Sequence, residues 1–312
     1  MIDKTIAFLH KISFFDNFYF AKIAKKLIKD KILFIDIGAA GGVISRWKKI
    51  ENLISSVAFE PDKESYINLK KNKKKNDKIF NIALSDKAGF KNFYICRDGE
   101  KSSFYKPNYD LIKNYPNSKR YDIKKKIKFK VNKLDNIKNF KPDFIKIDTQ
   151  GSELEILKGS KKNLFKCIGL EVEVEFQEIY KNQKLFDDVF KFLKNNGFEF
   201  IDFSEKTYWQ YKNTSKLGQN LIFGNALFMK NDNLVKKFSI KEIKKYILIA
   251  LLYNKINLIE NILNQLTNVQ KNNLKKDLVI FFIRAKIISM LKKFFNFFIK
   301  LLGIELSNNN IN

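Results

Sequence analysis

Apolar positions along the chain switch between two periods, and the switches mark the elements. Residues 3–29 place Ile6, Leu9, Ile12, Phe20, Ile23, Ala24 and Leu27 at near-helical spacing, which predicts an amphipathic helix. The run Ile32-Leu33-Phe34-Ile35-Asp36-Ile37 is short and continuously apolar, as expected of a strand buried on both faces of a parallel sheet. A glycine turn from Gly38 to Gly42 ends it, and Val43 to Lys49 can start a helix. Ser56 to Glu60 predicts a second strand, Lys63 to Lys74 a helix with a basic face, and Ile79 to Leu84 a third strand.

The alternation then lapses and resumes. Phe93-Tyr94-Ile95 reads as an extra strand, and residues 97–127 are polar with Pro107 and Pro116 as breakers, so they read as an insertion or lid. Asp143 to Asp148, Ile168 to Val174 and the helix Glu153 to Leu164 between them continue the alternation. Leu185, Phe186, Val189, Phe190 and Leu193 share a helix face that Gly197 stops. Phe198 to Phe203 and Leu221 to Met229 have no room for a long helix between them, so they are expected to pair antiparallel. The sum is an α/β sheet of five parallel strands plus a C-terminal antiparallel pair. It implies an N-terminal helical extension over 1–29, a core domain over 30–230 and a helical region over 231–312.

Composition changes this picture little. The chain has 312 residues and is 45% hydrophobic, enough for a real core. Lys plus Arg outnumber Asp plus Glu by 60 to 33, a net +27. Such charge suits nucleic acid or an anionic membrane, yet only Arg46, Arg97, Arg120 and Arg284 are arginines, and phosphate-gripping proteins recruit arginine for its fork. Compositional bias toward Lys is therefore the leading cause, and nucleic acid is not the expected partner. Cys96 and Cys167 stand far apart without a nearby His, which suggests neither a disulfide nor a metal site. No long uncharged apolar stretch predicts a transmembrane helix, and the first residues lack the pattern of a signal peptide. A cytoplasmic protein is expected. The Phe-, Ile- and Lys-rich stretch Leu278 to Leu302 docks on the fold, forms a homodimer interface or lies on an anionic membrane.

Candidate chemistry gathers at the strand ends. Asp36-Ile37-Gly38-Ala39-Ala40-Gly41-Gly42 closes the first strand, and glycines there let a nucleotide-like ligand approach the backbone. Glu60 ends the next strand, at the distance where an acid in a doubly wound fold reaches ribose hydroxyls. The dinucleotide pattern is broken by Ala40, and no phosphate loop is present. S-adenosylmethionine carries no phosphate, and Asp36 with the Gly38–Gly42 turn offers an acid and N–H groups to its amino and carboxylate ends.

A third segment, Phe144-Ile145-Lys146-Ile147-Asp148-Thr149-Gln150-Gly151-Ser152-Glu153 through Gly159, resembles the signature of the FkbM family of methyltransferases. Asp36 to Gly42, Phe59-Glu60-Pro61, Ala83-Leu84-Ser85-Asp86 with Gly89, and Lys133-Leu134-Asp135 resemble further elements of that family in order and spacing. The resemblance covers about residues 30–230. It implies the Rossmann-like fold of class I methyltransferases, S-adenosylmethionine as methyl donor and oxygen acceptors, often sugars, and it carries Gly38, Ala39, Gly42, Pro61, Ala83 and Leu84 into the cofactor site beside Asp36 and Glu60. One position departs: Ala40 stands where the family often has Asn.

Methyl transfer from a sulfonium relies on positioning, and a hydroxyl acceptor needs a general base. The only histidine, His10, lies outside the core. Asp148 and Lys146, at the end of the fourth core strand, are the better candidates, as base or acceptor-orienting group and as oxyanion stabiliser. Glu153 either caps a helix or serves the site. Glu171, Glu173 and Glu175 alternate along the fifth strand and share a face, and Glu173 is a candidate for acceptor binding. No metal is expected. Tyr208 and Trp209, with Tyr211, are read as loop residues whose rings stack on a sugar or pack on the protein. The expected reaction is O-methylation of a sugar in a surface polysaccharide or glycolipid precursor. The rivals are an RNA methyltransferase and a degenerate domain that binds a membrane or partner.

Overall fold

The structure is a computed structural model that describes residues 20–75, 77–137, 140–215, 217–274 and 278. The chain divides into two compact units: Ile28–Ile259, and Met1–Leu27 with Glu260–Asn312. In the second, residues 20–27 are helical and the helix Ile256–Gln265 enters from the first. The remainder of the expected N-terminal helix, His10, and nearly all of Leu278 to Leu302 lie outside the described residues. No described helix is long and apolar enough to cross a membrane.

The larger unit is built on a seven-stranded sheet. Its strands are β1 (Ile32–Ile37), β2 (Ile54–Phe59), β3 (Lys78–Phe80), β7 (Phe144–Ile147), β8 (Gly169–Glu175), β9 (Phe198–Trp209) and β10 (Asn220–Lys230), in the order β3-β2-β1-β7-β8-β10-β9. The first five run parallel, and β10 and β9 close the edge antiparallel. This is the Rossmann-like arrangement expected from the sequence. Three further strands, β4 (Ala83–Leu84), β5 (Gly89–Cys96) and β6 (Ile123–Asn132), form a separate sheet in the order β4-β6-β5.

Register makes the two faces of the large sheet chemically different. Asp36 lies opposite Lys146, and Lys146 opposite Glu171, so one polar row crosses β1, β7 and β8. The alternate positions Ile35, Ile37, Ile145, Ile147, Leu170 and Val172 join the apolar core on the other face. One turn below the polar row, Phe34 and Phe144 pack against the fully buried Trp47 at centroid distances of 4.7 and 4.8 Å. Truncating such a buried indole to Ala typically costs about 3–5 kcal/mol.

Several elements differ from the sequence expectation. The third strand is split: β3 stays in the large sheet, whereas β4 crosses to the small one. At the break Asn81 donates its amide to the carbonyls of Glu60 and Pro61, both at 2.8 Å. The single helix expected over Glu153 to Leu164 is two, Glu153–Lys158 and Lys161–Lys166. Gly159 separates them where the chain passes so close to Ser85 that a β-carbon would lie 2.1 Å from its carbonyl oxygen. The last residues of the expected insertion belong to β6, and the rest is anchored by Ile112, Tyr115 and Tyr121, which pack with Ile179, Tyr180 and Ile222. Tyr208 and Trp209 lie in β9, paired with Leu221 and Asn220, not in a loop. Finally, the compact unit continues past residue 230 to Ile259. Residues 231–259 are tied in by Lys245 Nζ to Asp143 (2.7 Å) and by Trp47 Nε1, which donates to the Tyr253 hydroxyl (3.2 Å).

Candidate active site

The C-terminal ends of β1 and β7 leave the sheet side by side. Gly38 follows β1 with φ +79°, and a β-carbon there would sit 1.8 Å from the carbonyl oxygen of Asp148. Only glycine permits this approach of the two turns. The turn continues through Ala39, which is buried and accepts from Gly42 N at 2.8 Å, to Gly42 at φ +70°. Gly41 faces open space.

Charge is concentrated on this edge. Lys146 Nζ lies 3.2 Å from Asp148 Oδ2 and 3.7 Å from Asp36 Oδ1, with both Lys146 and Asp36 buried. The surrounding carboxylates hold the lysine firmly protonated, its pKa raised despite burial. Burial pushes Asp36 up to about 6 even beside Lys146. Its Oδ1 has no hydrogen-bond donor among the described residues, because the ammonium stands at ion-pair rather than hydrogen-bond distance. Glu60 is buried too, and desolvation raises it to about 7; Oε1 accepts from Asp62 N at 2.8 Å. Pro61 follows it, its carbonyl held by Asn81.

Asp148 is the most open of these groups, its side chain 34% exposed. It starts a turn whose other members are tightly held. Glu153 is buried, and its Oε1 accepts from Thr149 N (2.8 Å), Thr149 Oγ1 (3.0 Å) and Gly151 N (3.2 Å). Burial still outweighs those donors and lifts its carboxyl to about 7. Glu153 thus braces the turn that carries Asp148.

Gln150 is the residue that sequence reasoning missed. It has φ +58°, rare for a side-chain-bearing residue. Its Nε2 donates to Glu173 Oε2 at 2.8 Å, and its Oε1 accepts from the Tyr180 hydroxyl at 2.9 Å. Ser103 Oγ donates to its carbonyl at 2.6 Å. Glu173 is buried, and desolvation together with nearby Asp148, Glu175 and Glu153 holds it well above the usual carboxylate range. The signal for Gln150 was its place inside the Lys146-to-Gly159 motif. Ser103 and Tyr180 carried none, since both arrive from segments distant in sequence.

Ala83 and Leu84 are buried in β4, paired with Val131 and Asn132, and Leu84 packs in the apolar core. Trp209 packs on the rings of Tyr115, Tyr121 and Phe223, and Tyr208 is exposed. Glu171 is held by Arg46 Nη1 (2.8 Å) and Ser204 Oγ (2.7 Å). No group of three or more His, Cys, Asp or Glu among the described residues is arranged to hold a metal ion.

S-adenosylmethionine fits the chemistry of this edge. An acid with an unbonded buried oxygen, a glycine turn with open space before it and a second acid at the end of β2 match a cationic amino acid joined to a ribose.

Comparison with known proteins bears on the same residues. The chain is similar in structure to the FkbM methyltransferase of Methylobacillus flagellatus KT, at 14% identity and a TM-score of 0.39, covering 64% of this chain and 44% of that one. It thus spans less than half the length of that protein. It is also similar to a magnesium protoporphyrin IX methyltransferase of Synechocystis PCC 6803, solved with S-adenosylmethionine, at 9% identity and a TM-score of 0.35, covering 69% of this chain and 79% of that one. No curated protein matches the chain. The model of the methyltransferase FkbM domain matches residues 36–200, from Asp36 at the end of β1 to Phe200 in β9 and more than half of the chain. The chain belongs to the FkbM family of methyltransferases, whose methyl donor is S-adenosylmethionine.

Proposed function

We propose that this chain methylates a hydroxyl group of a sugar in a surface-polysaccharide or glycolipid precursor. The observation that carries the assignment is Asp148: a partly exposed carboxylate beside a buried ammonium, at the sheet edge that also holds Asp36 and the Gly38 turn.

When bound, S-adenosylmethionine supplies a methyl group already activated on a sulfonium. Asp36 and Glu60 would hold its cationic amino acid and its ribose, and the N–H groups of Ala40 and Gly41 would be left for its carboxylate, since those of Gly38, Ala39 and Gly42 already donate to Phe59 and Ala39 carbonyls. Asp148 takes the proton of the acceptor hydroxyl as the oxygen gains the methyl group. Lys146, fixed between Asp36 and Asp148, lowers the energy of negative charge developing on that oxygen. Glu153 and Gln150 act indirectly: the first braces the turn, and the second joins it to Glu173 on β8.

The test is calorimetric titration with S-adenosylmethionine, followed by transfer of labelled methyl to glycan fractions by the wild type and by Asp148→Asn. Donor binding in both proteins, with glycan labelling by the wild type alone, supports the assignment. Labelling of RNA in place of glycan, or full labelling by the variant, overturns it.

A further inference from the structure

Charge on the three-stranded sheet is not matched. Three carboxylates of this region are engaged: Asp98 by Arg120, Asp122 by Arg97 and Glu155 by Lys91. On the sheet face that carries Phe90, Asn92 and Tyr94, the cross-strand partners are Lys130, Lys128 and Lys126. Period-two spacing on β6 puts these three ammonium groups on one side, and all three residues are exposed. None of them has a carboxylate partner among the described residues. Lys106 adds a fourth: its Nζ and that of Lys126 lie 6.0 and 5.9 Å from the ring centre of Tyr94.

One end of this strip meets the active site. Lys106 follows Tyr105, whose ring lies against Gly151. Tyr94 is bridged to Ser103, which donates to the carbonyl of Gln150. From Lys126 the strip runs to Lys130 for about 13 Å, at roughly 3.3 Å per residue.

We propose that the strip binds anionic substituents of the acceptor, so that the substrate is a glycan bearing carboxylate or phosphate groups on residues next to the methylated sugar, an inference that rests on the sugar-acceptor reading above. A sugar placed at Asp148 leaves its neighbours free to lie along the lysines. Lysine point charges suit dispersed anionic groups. Nucleic-acid platforms interleave several stacking rings with the charge, whereas among the described residues Phe90 alone on this face has a fully open ring.

The test uses the full chain and a Lys126→Glu/Lys128→Glu/Lys130→Glu variant. The control changes the same net charge elsewhere on exposed lysines, as Lys191→Glu/Lys236→Glu/Lys237→Glu. Titrants are an oligogalacturonate, a phosphorylated dextran, unmodified dextran, a single-stranded RNA oligomer and phosphatidylserine vesicles, with S-adenosylmethionine affinity as the folding check. We expect the strip variant to bind one or both anionic glycans at least about tenfold more weakly, with a shallower salt dependence. The control variant and donor affinity should hold, and the preferred glycan separates carboxylate from phosphate. Equal loss in both variants, no binding of either anionic glycan, or tighter strip-dependent binding of RNA or vesicles overturns the proposal. Labelled methyl passing only to neutral glycan overturns it while leaving the sugar reading intact, whereas no transfer to any glycan fails the sugar reading by itself.

Discussion

Two turns stand side by side at the sheet edge, and they are built by opposite means. The turn after β1 uses glycine at Gly38 and Gly42, leaves Gly41 in open space and presents a buried acid with an unbonded oxygen. The turn after β7 places Gln150 at positive φ and ties its neighbours by hydrogen bonds to Glu153, Ser103, Glu173 and Tyr180. The first is deficient in contacts and suits a ligand that completes it. The second is saturated and suits a side chain, Asp148, that must stay aimed. Gly38 couples them, because its missing side chain is what lets the two backbones touch.

Removing that coupling should have the largest effect. Gly38→Ala forces a β-carbon onto the Asp148 carbonyl at a φ that alanine disfavours, and we expect a loss of about 4 kcal/mol or more in urea unfolding. Gly41→Ala, in the same turn but facing nothing within 4 Å, should stay within about 0.5 kcal/mol of wild type. Equal losses at both positions would mean that the turn tolerates no side chain anywhere and that the contact with Asp148 is incidental.

Next is the brace. Glu153→Ala leaves two N–H groups and a hydroxyl of the second turn without their acceptor, and a cost of about 3 kcal/mol follows at about one per group, the low end of the range because Thr149 is only half-buried. Donor affinity should change little, since the first turn is untouched. A variant that unfolds no more easily than wild type would show the turn to be held by Gln150 and Ser103 instead.

The difference between the turns also explains what could be read from the sequence. Glycine turns and acids at strand ends are local, so the chain order alone locates Asp36, Gly38, Glu60 and Asp148. The five parallel strands were legible for the same reason, as apolar runs separated by helical patterns. The saturated turn was not, because its partners come from afar: Ser103 from the insertion and Tyr180 from beyond β8. Contacts that break elements were equally hidden. Nothing in the residues near Asn81 announces that its side chain will bond Glu60 and Pro61, and nothing near Gly159 announces Ser85. The Trp209 ring reads in sequence as a loop aromatic because β9 outlasts its apolar stretch, carried on by pairing with β10.

The unbonded oxygen of Asp36 gives the next expectation. Asp36→Asn keeps the shape and removes the charge, so S-adenosylmethionine affinity should fall about 100-fold, or ~2.7 kcal/mol, the range of a hydrogen bond to a charged group. Unchanged affinity would mean that Asp36 serves only as the counter-charge of Lys146.

The smallest effect is one of pH, and it separates the two turns without any mutation. Asp36 and Glu60 stand at about 6 and about 7, raised chiefly by burial, so both are partly protonated in the free protein near neutral pH. A cationic amino group and ribose hydroxyls favour the ionised forms, so binding must expel those protons. Affinity for S-adenosylmethionine should therefore rise by at least about tenfold from pH 5.5 to pH 8, with protons released on binding near pH 6.5. Stability of the free protein should run the other way. Raised carboxyl pKa values mean that the folded state holds more protons than the unfolded one between about pH 4 and pH 7, so unfolding should become easier as pH rises through that window. Glu153 shares this second trend but not the first, because its partners belong to the protein. Calorimetry in buffers of different ionisation enthalpy counts the released protons directly. An affinity independent of pH, with no proton release, would place the donor away from both acids and remove the distinction between an open turn and a closed one.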